Sequence, residues 1–233
     1  MLRQDYNQIM AAYKKVAKGN ARLTQSDLVL IRAIDPSTTN YRFPVLENEA
    51  AIVYPEEIRL NINDQFALTH MGVYLGARLA TEAELIPKGP LQIYPYAPFE
   101  QEAVKMLPLK HLYTGYLKVD VNNVNFVDKW ALRKHEFVPQ TQFKQFESAS
   151  PFTTQANIDY KSDGIFPVCP NIIFSGAKKN DVQIFLPNAM ASGEFSMNTN
   201  GTQPVPDKVY VRFMYIVVVL RGFLAQNAAK FQG

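Results

Sequence analysis

The chain has 233 residues, with 24 Lys and Arg against 21 Asp and Glu, a formal net charge of +3 and only 19% charged residues. That length suits one large domain with a sizeable core, and 47% hydrophobic with 12% aromatic residues excludes wholesale disorder. The charge is too small to imply nucleic-acid binding by itself, and a single cysteine, Cys169, excludes an intramolecular disulfide framework.

In place of charge, Asn and Gln fill 30 positions. A surface polar through amides repels its neighbours weakly, which suits a protein that touches other proteins. The opening Met1-Leu2-Arg3-Gln4-Asp5 lacks the basic-then-apolar order of a secretory leader. The longest apolar run, Phe213 to Leu220, is less than half the roughly 18 residues of a membrane span. The expectation is a protein folded in a reducing cytoplasm, with Cys169 a small buried hydrophobe.

The first predicted element is a helix. Leu2, Tyr6, Ile9, Tyr13 and Val16 recur at helical spacing on one stripe, Lys14, Lys15 and Lys18 suit its C-terminal dipole, and Gly19 stops it. Two heptads are too short to stand alone. The stripe docks on its own domain or on a neighbouring subunit. A third use has Lys14, Lys15, Lys18 and Arg22 meeting nucleic acid or another acidic surface.

After Thr39 the chain reads as short extended segments broken by Pro, Gly, Asn and Asp. Ile58 to Ile62 alternates, with Asn63-Asp64 as its turn, and Phe66 to Leu75 forms a second strand stopping near Gly76. Leu91 to Tyr94 is short. Tyr113 to Val121 places Leu117, Val119 and Val121 on one face, and Asn122-Asn123 turns it into a strand over Val124 to Trp130. Ile172 to Phe174, a Gly176 to Asn180 turn, and Val182, Ile184 and Leu186 make another hairpin. The last strand, Val209 to Leu220, is apolar on both faces from Phe213 onward, so its outer face needs cover from the chain itself or from another subunit. It should be central in its sheet. Long polar and aromatic loops run from Val138 to Pro167 and from Pro187 to Asp207.

A search for chemistry returns little. His70, His111 and His135 form no metal-ligand spacing, and His135-Glu136, read as strand, point to opposite faces. No nucleophile elbow, phosphate loop or dinucleotide fingerprint is present. Gly176-Ala177-Lys178-Lys179-Asn180 sits between strands and reads as a solvated turn. Glu56, Glu57, Asp64, Asp120 and Asp128 are candidates for a glycosidase pair, and Trp130, Tyr94 and Tyr96 for sugar stacking, but the same residues suit turns and a sandwich core. The expectation is no catalytic residues, no cofactor and no metal.

Several phrases together carry a resemblance: Tyr41-Arg42-Phe43-Pro44-Val45-Leu46, Arg59-Leu60-Asn61-Ile62-Asn63-Asp64, Leu112-Tyr113-Thr114-Gly115-Tyr116-Leu117, Val138-Pro139-Gln140-Thr141-Gln142 and Leu220-Arg221-Gly222-Phe223-Leu224. The set, spread in order over residues 40 to 228, resembles virion structural proteins of phages and prophages of Bacteroidetes-type bacteria. It implies an all-β sandwich of jelly-roll type working in many copies, and it transfers no catalytic residue. The expected organisation is a helical arm and linker over 1–39, a β-sandwich over 40–228 and a tail over 229–233. The expected function is a bacteriophage capsid or capsid-associated protein, with alternatives in a carbohydrate- or receptor-binding module (spike or fibre base) or a neck or connector ring. Its partners would be itself and other virion proteins, with weak contact to packaged nucleic acid through the arm. Assembly would take place in the host cytoplasm.

Overall fold

The computed structural model describes residues 23–35, 37–50, 54–81, 91–93, 109–136, 164–189 and 210–228, with Asn7 and Met10. Leu2, Tyr6, Ile9, Tyr13 and Val16 of the expected arm, and its cations Lys14, Lys15, Lys18 and Arg22, lie outside the described residues. So do most of both long loops.

The described chain is an all-β sandwich of two antiparallel sheets. Its strands are β1 (Leu23–Ala33), β2 (Asn40–Pro44), β3 (Gln65–Thr81), β4 (Gln92–Ile93), β5 (Tyr116–Val121), β6 (Val124–Ala131), β7 (Ile165–Ser175), β8 (Asn180–Phe185) and β9 (Tyr210–Ala225). One sheet has the order β1-β9-β3-β4, with β7 also paired to β3; the other has the order β2-β8-β5-β6. Each connection from β1 to β2, β2 to β3, β4 to β5, β6 to β7, β7 to β8 and β8 to β9 therefore joins a strand of one sheet to a strand of the other.

Alternation of side chains explains the core. Leu28 and Leu30 of β1, Ile216, Val218 and Leu220 of β9, and Phe66, Leu68, Met71, Val73 and Leu75 of β3 face Tyr41 and Phe43 of β2, Val182 and Ile184 of β8, and Leu117, Val119 and Val121 of β5. The inward set on β3 changes parity after Leu68. A bulge at Thr69 absorbs the extra residue, and its hydroxyl donates to the Arg221 carbonyl at 3.1 Å.

β9 lies between β1 and β3, as the apolar pattern requires. Its outer residues Tyr215, Val217 and Val219 are covered within the chain. With Val29 and Ile31 they join Tyr54, Tyr74 and Leu91 in a second cluster, where Tyr54 meets Tyr215 edge-on at 5.3 Å. The strand continues through Gly222 to Ala225, because glycine is what its partner needs: a Cβ there would come within 1.9 Å of the Ala67 carbonyl oxygen.

The Asn122-Asn123 turn forms as expected, with φ of 51° and 63°, the left-handed pair of a two-residue hairpin whose twist matches its strands. Several expectations need correction. The sandwich begins at Leu23 within the presumed linker, because Leu28 and Leu30 supply core side chains that a linker would not. β3 runs past Gly76 to Thr81, since β9 pairs with it along that whole length. Ile58 to Ile62 is no regular strand: it makes isolated bridges to Val29 and Leu46, burying Leu60 and exposing Ile58 and Ile62. Cys169 is exposed, because alternation on β7 turns Val168 inward and its neighbour out. His135 ends a 3-10 turn, Leu132–His135, and is fully buried, not set on a strand.

Candidate functional site

The two flanks of the sandwich, where the edges of one sheet meet those of the other, each hold a side-chain assembly built around ionisable groups. At the β1/β2 flank the segment 54–60 sews the sheets together. Val29 and Ile58 exchange backbone hydrogen bonds on the β1 side, and Leu60 N–H donates to the Val45 carbonyl beside β2. The Glu57 carboxylate, its side chain 0% exposed, accepts from Ile31 N–H at 2.7 Å, Tyr54 N–H at 2.9 Å and the Arg59 guanidinium at 2.6 Å. Arg59 reaches on to the Pro44 carbonyl. Residues two apart in an extended segment share a side, so the spacing Glu57-x-Arg59 builds the pair, and the backbone donors complete it.

Beside this clamp is a cleft of about 430 Å³ lined by Arg32, Asp35, Arg42, Glu49, Tyr54 and Arg59 among others. Several of its charges are already engaged. Arg42 donates to Asp181 at 2.8 Å and lies 3.5 Å from Glu49, and the Asp181 hydrogen bond raises the guanidinium above its ordinary pKa. Hydrogen bonds from the Ser37 hydroxyl and N–H hold the Asp35 carboxyl below the usual range. Burial raises the Tyr41 phenol, although its hydroxyl donates to the Asp35 carbonyl at 2.7 Å.

The β6/β7 flank is built differently. Trp130 of β6 donates its indole N–H to His135 Nε2 at 2.9 Å. Nε2 must then be an acceptor, so Nδ1 carries the proton, and it donates to the Gly164 carbonyl at 2.7 Å, at the entry to β7. Phe166 of β7 meets the imidazole edge-on at 5.3 Å, and the Lys134 ammonium sits 4.3 Å from the centre of the Trp130 ring. Burial pushes the imidazole below its ordinary pKa; the Gly164 hydrogen bond opposes the shift, and the nearby Lys134 charge adds to it. Further along this flank Val124 and Phe126 are 56% and 46% exposed, beside a groove of about 280 Å³ whose walls include Val121, Ile173 and Lys178.

The sequence-predicted site residues do not converge. Glu57 is spent on the clamp, Glu56 accepts from Leu91 N–H, Asp64 caps Asn227 N–H at 2.8 Å, Asp120 pairs with Lys118 at 2.9 Å, and Asp128 is exposed on β6. Trp130 is engaged by His135 and Lys134 and so is no open stacking platform; Tyr94 and Tyr96 lie outside the described residues. Among the described residues no group of three or more His, Cys, Asp and Glu side chains is placed to hold a metal, and no helix is long and apolar enough to cross a membrane. Sequence reading missed both flank assemblies. The only signals were the Glu57-x-Arg59 alternation and the Trp130…His135 proximity, each ambiguous without its backbone partners. No protein-family model, no curated protein and no solved structure matches the chain.

Proposed function

We propose that the protein is a structural protein of a bacteriophage virion, assembling with itself and with other virion proteins into a capsid or a capsid-associated particle. One observation carries the reading: the strand order β1-β9-β3-β7 facing β2-β8-β5-β6, with the chain passing repeatedly between sheets. This is the wrapping of an eight-stranded jelly roll, an architecture used by viral capsid and lectin domains. The short β4 is an addition beside β7 on the same edge of β3. The phrases that resemble phage virion proteins fall largely on this scaffold, in β2, the clamp segment, the approach to β5, and β9.

Assembly in this reading works by burial of apolar surface at repeated contacts, each reinforced by the others in a closed particle. The amphipathic stripe Leu2, Tyr6, Ile9, Tyr13 and Val16 acts as an arm on a neighbouring copy, and Lys14, Lys15, Lys18 and Arg22 give weak contact to packaged nucleic acid. Val124 and Phe126 add an exposed apolar edge on the folded domain. The deciding experiment is the mass and symmetry of the purified protein by light scattering and negative-stain microscopy. Shells, rings or higher oligomers that disappear when residues 1–19 are deleted fit the proposal. A monomer at every concentration overturns it, and a monomer that binds glycans on an array replaces it with the receptor-binding alternative.

A further inference from the structure

We propose that His135 is an acid-sensitive pin between the two sheets, holding the β6/β7 flank closed only while its imidazole is neutral. The argument begins with hydrogen-bond inventory. A neutral imidazole has one donor and one acceptor, and here both are used: Nε2 accepts from Trp130 Nε1 at 2.9 Å and Nδ1 donates to the Gly164 carbonyl at 2.7 Å. The first partner belongs to β6 in one sheet, the second to the entry of β7 in the other. Protonation turns Nε2 into a second donor aimed at the indole N–H. That hydrogen bond is then lost, and two donors face each other in a site His135 shares with no solvent.

The surroundings offer the cation little compensation. Trp130 from β6 and Phe166 from β7 do not titrate. On the 3-10 turn Lys134 and Arg133 carry like charge, and Lys134 is held over the Trp130 ring at 4.3 Å. Tyr74 of β3 packs on Gly164, and Glu136, next in the chain, is the nearest carboxylate by sequence, half-buried. Gly164 itself has φ of +67°, a conformation that fixes the carbonyl toward His135 and that other residues adopt only with strain. The joint is thus preorganised for one protonation state.

The pH window follows from the direction of the shift. Above the ordinary histidine pKa of about 6.5 the folded and open forms both hold a neutral imidazole, and pH has no leverage. Below it, the open form takes a proton that the closed joint refuses. The open-to-closed ratio then rises, by up to about 30-fold at pH 5.0, until the closed form also protonates.

The chain's single tryptophan makes the test direct. Trp130 gives one indole N–H resonance, to be followed in the full-length protein from pH 8 to pH 5 together with its hydrogen-exchange rate. The expected result is loss of indole protection on acidification, with a midpoint below the ordinary histidine value of about 6.5 and with the rest of the fold retained. His135→Gln should flatten the pH response. If that variant does not fold, the C2-proton titration of His135 in the wild-type chain decides in its place. An indole whose shift and protection stay constant to pH 5, or a His135 titrating at or above 6.5 while Trp130 is unaffected, overturns the proposal.

Discussion

The two flanks solve one problem, closing the side of a sandwich between two sheets, with opposite chemistry. At the β1/β2 flank the closure is ionic: Glu57 and Arg59 are paired at 2.6 Å and surrounded by backbone donors and acceptors. At the β6/β7 flank it is neutral, an imidazole between an indole and a carbonyl. A buried charge pair is costly to assemble and costlier to break, because the survivor is left charged in a dry site. A neutral pin is cheaper to break, but its single acceptor nitrogen can be protonated. The ionic flank should therefore dominate stability near neutral pH, and the neutral flank should dominate its response to acid.

The most severe way to challenge this contrast is Glu57→Gln, which keeps the shape and strands Arg59. A loss of about 3–5 kcal/mol in denaturant unfolding is expected, and a loss below about 1 kcal/mol would mean the clamp is solvated. Next is His135→Phe, which leaves the Trp130 N–H and the Gly164 carbonyl without their partner. At pH 8 it should cost about 1–3 kcal/mol, and the gap to the wild type should narrow as pH falls below 6.5, since the wild type alone carries the histidine's acid penalty. A gap that widens on acidification would reverse the assignment of the neutral state.

Smaller effects distinguish the flank surfaces. Arg42→Ala removes a half-exposed guanidinium from Asp181, which retains Lys179 at 3.7 Å, so about 1 kcal/mol or less is expected, diminishing with added salt. A salt-independent loss would place that pair with the buried clamp. Phe126→Ser should change unfolding by no more than about 0.5 kcal/mol, as exposed substitutions generally do. It should nonetheless reduce the assembled fraction seen by light scattering if the β6 edge is a contact between copies; unchanged particle formation would remove that edge from the interface.

Much of the sheet framework was readable because alternation is a local signal. Leu117, Val119 and Val121 on β5, the Asn122-Asn123 turn, and Val182, Ile184 and Leu186 each report their own face. β1 escaped because Leu23-Thr24-Gln25-Ser26-Asp27 is polar at its start, and its membership depends on pairing with β9, nearly two hundred residues away. Ile58 to Ile62 misled for the converse reason: its alternation suits a strand, but the inward space is taken by Arg59 and Leu60. Candidate acids were visible as residue types, while their commitments to Ile31, Asn227 and Lys118 were not.

The sequence by itself determined a β-rich chain with a single cysteine, a central last strand and a near-neutral charge, because composition and period-two patterning are carried by neighbouring residues. Only the tertiary structure decided which strands wrap into which sheet, and that the outer face of β9 is covered by Tyr54 and Leu91. It also decided that one histidine of three is fixed as a neutral pin. Each of those outcomes depends on groups distant in sequence meeting in a dry interior, where a hydrogen bond or a charge has a value that no local pattern encodes.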